Sequence, residues 1–177
     1  MKRILLSIFL APVLSIAQQI PQYYNNIDFS KPKDIVKQQL ATTITNGYRG
    51  RSYNDVWNIL KRADEDPENK QNVLLIYGHS NSANNGSQTD RSRKKNLNGG
   101  GSGQWNREHV VAKALANPKL TTGTGQAGTD AHNLRASDVD WNALRSNKKF
   151  ANGSGNSGDV GSNWFPGDEW KGDVARI

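Results

Sequence analysis

Cysteine is absent from the 177 residues, which excludes a disulfide framework, thiolate zinc sites and any thiol nucleophile. Stability must come from packing. Acidic side chains are in deficit: 16 Asp and Glu stand against 23 Lys and Arg, a formal charge of +7, so the long-range field favours polyanions or anionic surfaces. No apolar run reaches the roughly 20 residues that a membrane-spanning helix needs. The longest, residues 4–16, is interrupted by Ser7 and Pro12. With 34% apolar and 22% charged side chains, the length suits one compact domain rather than two of ordinary size.

Residues 1–17 combine a basic start (Lys2, Arg3), an apolar stretch and a small-x-small ending at Ser15 and Ala17, the pattern of a secretory signal. A membrane anchor is the alternative reading. Lys2 and Arg3 are the only charges in this stretch, so cleavage after Ala17 lowers the formal charge from +7 to +5. The basic character therefore belongs to residues 18–177, read as one domain that is secreted or periplasmic and makes no stable membrane contact.

Residues 30–47 read as a helix, with Ser30 as cap, Pro32 in the first turn, Ile35, Val36, Leu40 and Ile44 facing the core, and Gly47 as stop. A second helix starts at Asn54 or Asp55 and presents Val56, Ile59, Leu60 and Ala63 on one face. Residues 72–77 suit a short strand buried on both faces. Residues 78–103 lack apolar periodicity and read as a long mobile loop. It carries Arg91, Arg93, Lys94 and Lys95, which are either an ordinary solvated cluster or phosphate contacts. A strand-like run at 105–111 then holds the neighbours Glu108 and His109, followed by a loop at 117–129 and a second strand-like run at 130–135. Ser137 can cap a further helix, with Asp140 closing a capping box. The resulting order is strand, loop, strand, helix. Residues 152–163, rich in Gly, Ser and Asn, read as a surface loop, and no internal repeat is present.

Three ordered blocks carry a resemblance: W-N-R-E-H-V from Trp105, T-D-x-H-N-L-R-x-S-D-x-x-x-N-x-x-R-S-N from Thr129, and K-G-D-V-A-R from Lys171. They resemble the bacterial secreted endonuclease I family of nonspecific nucleases. The resemblance implies an α+β fold with a ββα-metal (His-Me finger) core packed among helices. It further implies hydrolysis of DNA and RNA without sequence preference, leaving 5′-phosphate ends, by a monomer using Mg²⁺ or else Ca²⁺ or Mn²⁺. The chain departs from the family at Ala112 and Ala136, where prolines are usual. In the family the third block opens a longer helix, so the stop at Ile177 reads as a truncation.

Phosphodiester hydrolysis needs an activated water, charge stabilisation at phosphorus and protonation of the departing sugar oxygen. On the family pattern His109 is the general base, while Glu108 and Asn142 are the oxygen ligands of a hard divalent ion. Neighbours on a regular strand face opposite ways, so His109 is expected at a strand end or bulge and Glu108 turned toward the helix carrying Asn142. Asn133 is expected to tie the two arms of the hairpin together. His132 is either a positioning residue or an ordinary surface histidine, and His79 reads as structural. Arg145, three positions after Asn142, shares its helix face and is a candidate phosphate ligand. The cation that stabilises the transition state is left open among Arg107, Arg135, Lys113 and Lys119. A secreted, basic, non-catalytic nucleic-acid-binding module is the alternative function.

Overall fold

The computed structural model describes residues 22–80 and 87–168. The readings for residues 1–17 and 171–176 lie outside them. Two compact units are present, one ending at Tyr48 and the other starting at Arg49. In the first, α1 spans Lys33–Gly47 and buries none of its residues, so its assignment to the core is corrected. The reason is angular: at about 100° per residue, Ile35, Val36, Leu40 and Ile44 spread over half the circumference instead of one stripe. Ser30 does not cap the helix. Its backbone N–H donates to Asp28 Oδ1 at 3.0 Å, and the helix starts after Pro32, whose ψ of 146° is still extended.

The second unit begins with α2, Asp55–Ala63. A reciprocal cap starts it: Asp55 N–H donates to Ser52 Oγ at 3.1 Å, and Ser52 N–H to Asp55 Oδ2 at 2.9 Å. Val56 and Leu60, four residues apart, point inward together. The run that follows forms β1, Asn72–Leu74, which pairs antiparallel with β2, Ser92–Lys94, placing Val73 opposite Arg93. The stretch read as one mobile loop thus contains a strand. Periodicity missed it because the inward-facing residue of β2 is an arginine. Beyond β1 the chain stays buried through Leu75, Ile76 and Tyr77. Ile76 N–H donates to Ala136 O at 2.9 Å, and Tyr77 takes a φ of 77°.

The centre of the unit is an antiparallel hairpin of β3, Trp105–His109, and β4, Leu134–Asp138, in which His109 faces Leu134 and Trp105 faces Asp138. Helix α3, Val139–Arg145, follows directly. Asp138, not Ser137, caps it, its Oδ1 accepting from Asp140 N (2.8 Å) and Trp141 N (3.0 Å). Ser137 instead sits buried within β4. A last hairpin joins β5, Gly158–Val160, to β6, Asn163–Phe165, through Gly161 at a φ of 59°. Part of the segment read as a surface loop is therefore strand.

One apolar cluster packs Val56, Leu60, Val73 and Leu75 against Trp105, Leu134 and Ala136. A second gathers Ile76, Tyr77, Val110, Trp141 and Trp164. Each fully buried aliphatic side chain contributes about 1.5–3 kcal/mol; the first cluster holds the hairpin and the second holds α3. The architecture is α+β, helices with small antiparallel sheets. Among the described residues no helix is long and apolar enough to cross a membrane.

Candidate active site

Alternation along β3 sends Glu108 and His109 to different neighbours. The Glu108 carboxylate is buried, and its Oε1 accepts the Tyr77 hydroxyl and Arg145 Nη1, both at 2.7 Å. Burial raises the Glu108 pKa, and the Arg145 charge opposes the rise. Glu108 thus turns toward α3, the helix that carries Asn142 and Arg145. Arg145 is 1% exposed and cannot reach a phosphate in solution, so its reading as a phosphate ligand is corrected. Its guanidinium also donates to the carbonyls of His109 (2.7 Å), Val110 (2.8 Å) and Lys148 (3.1 Å). The side chain clamps the end of β3 to the end of α3.

His109 is the last residue of β3. Its Nε2 lies 2.8 Å from Gly128 O. A carbonyl only accepts, so Nε2 carries the proton and Nδ1 is left as the basic nitrogen. The ring stacks on Tyr53 at 5.9 Å with 27° between planes. Burial lowers the imidazole pKa, the carbonyl of Gly128 opposes this, and the nearby charges of Lys113, Arg107 and Arg145 add to the lowering. At neutral pH the group is therefore uncharged.

Asn142 Nδ2 donates to Asn106 Oδ1 at 2.7 Å, which fixes the orientation of the Asn142 amide. Asn133 joins the two arms of the hairpin region: its Oδ1 accepts Val111 N–H at 2.7 Å and its Nδ2 donates to Val111 O at 3.0 Å. A cleft of about 280 Å³ is lined by Arg107, Glu108, His109, Asn142, Lys113 and Lys119 among others. The Arg107 guanidinium lies 3.5 Å from the Tyr53 ring centroid and 4.0 Å from that of Trp57, and donates to Tyr53 O. Such packing holds a cation in place at low entropic cost.

Other residues singled out by sequence are not brought to this cleft. Arg135 Nε lies 2.6 Å from the buried Asp64 carboxylate, without hydrogen-bond alignment. His132 is exposed and bonds Asp130 Oδ1 through Nδ1 at 2.9 Å. Arg93 is fully buried between Asp138 and Asp90, which removes it as a phosphate contact. Arg91 is half-buried, Lys94 is exposed, and Lys95 pairs with Glu65 at 2.6 Å. His79 lies 6.4 Å from the Trp141 ring.

The donor set fits a hard divalent ion. Both hydrogen bonds of Glu108 end on Oε1, Asn142 spends only its Nδ2 on Asn106, and both residues line the cleft. Among the described residues no group of three or more His, Asp or Glu converges. Sequence reasoning missed Tyr77, Tyr53, Trp57 and Asp138. Only Asp138 left a trace, as a second capping type beside Ser137.

The family model described as Endonuclease I matches residues 33–177. An extracellular ribonuclease of Bacillus subtilis (strain 168) is 42% identical over 161 residues, covering 88% of this chain and 50% of that protein. An extracellular ribonuclease of Bacillus amyloliquefaciens is 45% identical over 141 residues, covering 76% of this chain and 44% of that protein. The chain spans about half the length of these relatives. No solved structure matches it significantly.

Proposed function

Because the chain belongs to the endonuclease I family, we propose that it is a secreted, metal-dependent nuclease that cleaves RNA and DNA without sequence preference, through a ββα-metal centre formed by β3, β4 and α3. The observation that carries this reading is the meeting of Glu108, His109 and Asn142 on one cleft. Export rests on the signal-like residues 1–17 and on the extracellular naming of the relatives.

Glu108 and Asn142 would hold the ion, Mg²⁺ or else Ca²⁺ or Mn²⁺, which when bound supplies positive charge to the scissile phosphate and its departing oxygen. His109 acts as general base. Gly128 O fixes Nε2–H, and Nδ1 takes a proton from the water whose oxygen bonds to phosphorus. The P–O3′ bond breaks, giving a 5′-phosphate and a 3′-hydroxyl whose proton comes from solvent. Arg107, Lys113 and Lys119 line the cleft and face the added negative charge, with Arg107 preset by Tyr53 and Trp57. Contacts of this kind go to phosphate rather than to base edges, so they carry no sequence information.

Plasmid DNA and a structured RNA incubated with Mg²⁺, with chelator, and with His109→Ala protein test the reading. Cleavage is expected only in the first case, with a loss on the order of 10²–10⁴-fold on removing the base. Equally negligible cleavage in all three, with nucleic-acid binding retained, would favour a non-catalytic binding module instead.

A further inference from the structure

A second cleft, of about 680 Å³, opens beside α2 and is lined by Arg51, Lys61, Arg62 and Lys95 together with Asp55 and Glu65. Of its two carboxylates, one has a close cationic partner. Asp55 accepts Ser52 N–H at the helix start, and Glu65 pairs with Lys95 at 2.6 Å. Arg51, Lys61 and Arg62 make no close ion pair among the described residues, although the Asp55 charge acts on Arg51 at longer range, so the four cations outnumber the two carboxylates and the cleft is net positive. No aromatic ring of the described residues lines it, which suits a charged backbone better than stacked bases.

The cleft is joined to the candidate active site by backbone. Gly125 N–H donates to Arg51 O at 3.0 Å. The two segments approach so closely that a Cβ on Gly50 would lie 2.8 Å from Gly125 Cα, so only glycine fits there. Three residues farther along the same loop, Gly128 O anchors His109. The start of α2 and the loop holding the general base are thus tied together by backbone, with Arg51 at the junction.

We infer that the α2 cleft is a second phosphate-binding site, which takes the backbone of the same nucleic-acid strand beyond the scissile bond. The inference rests on the nuclease reading above and adds a reason for longer substrates to be preferred. Each cation that neutralises a phosphate steepens the salt dependence of binding by about 0.7–0.9 in log–log slope. Removing three should flatten it by about 2.

The experiment adds Arg51→Ala, Lys61→Ala and Arg62→Ala to His109→Ala protein and titrates binding of a 20-nucleotide oligomer from 50 to 200 mM salt. The expected result is a slope smaller by about 2, with a slope restored to that of the parent when the three positions carry Lys, Arg and Lys respectively. An unchanged slope and affinity would overturn the proposal. In the background with an intact His109, the three alanines should reduce the advantage in kcat/KM of a 20-mer over a 4-mer, and an unaltered ratio would count equally against the cleft. Unfolding midpoints confirm that all variants are folded. Binding is read without turnover, so a wild-type protein that binds but does not cleave would sink the catalytic reading alone.

Discussion

The Tyr77 hydroxyl donates to Glu108 Oε1 at 2.7 Å, across 31 residues of sequence and inside the protein. Burial, and next the Glu108 charge, hold the Tyr77 pKa well above its usual value, so the phenol remains a donor. The residue is also kept at a φ of 77°, a conformation that costs an L-residue about 1–2 kcal/mol, while its ring packs edge-on against Trp164 at 5.6 Å. A strained, buried tyrosine bonded to a candidate ligand fits a positioning role.

Tyr77→Phe keeps the ring and removes only that bond. The expected outcome is a loss of about 1–2 kcal/mol in unfolding free energy, and a fall on the order of 10-fold or more in activity or in Mn²⁺ affinity measured directly. Urea denaturation and a metal titration read the two effects separately. Unaltered metal affinity with lowered stability would make the bond purely architectural.

Arg145 serves four acceptors at once: Glu108 Oε1 and the carbonyls of His109, Val110 and Lys148. Arg145→Ala leaves a buried carboxylate without its counter-charge, which costs about 3–5 kcal/mol. Arg145→Lys should recover little, because one ammonium cannot reproduce the planar fork. Leu144→Ala, on the exposed side of the same helix, should lie within about 0.5 kcal/mol of wild type. Denaturation midpoints of the three proteins test the order. A lysine variant as stable as wild type would show that charge alone suffices.

The β3–β4–α3 unit was legible because the strand runs are short and bounded by polar loops, and because capping residues precede α3. The capping residue was misplaced by one position, since Ser137 and Asp138 are both good caps and only the burial of Ser137 in β4 separates them. The roles of Arg93 and Arg145 were not legible. Charged side chains are buried only when paired. Arg93 has a near partner in Asp90, but its closer partner Asp138 lies 45 residues away and the Glu108 partner of Arg145 lies 37 away, so a local pattern reads both arginines as surface cations. Tyr77 was hidden for the same reason, at the end of an apolar run that reads as core. The overestimate of α1 came from spacing that fits a helix without concentrating on one face.

Asp64 joins α2 to both strands beside it. Its carbonyl accepts Leu74 N–H and its Oδ2 accepts Ala136 N–H, each at 2.7 Å, the latter a bond that a proline at position 136 could not make. Burial pushes the Asp64 pKa up from 3.8 to about 6, against the opposing charge of Arg135. Between these values the folded protein holds a proton that the unfolded chain has released. The contribution of this carboxyl is therefore full below pH 3.8, falls as pH rises toward 6, and is constant above, a span of about 3 kcal/mol. Asp64→Asn removes the titration while keeping an oxygen for Ala136. The unfolding free energy of wild type minus that of the variant should accordingly be larger at pH 4 than at pH 7, as read by urea denaturation across that range. A difference that grows with pH would mean that the ion pair with Arg135 outweighs the cost of burying the charge.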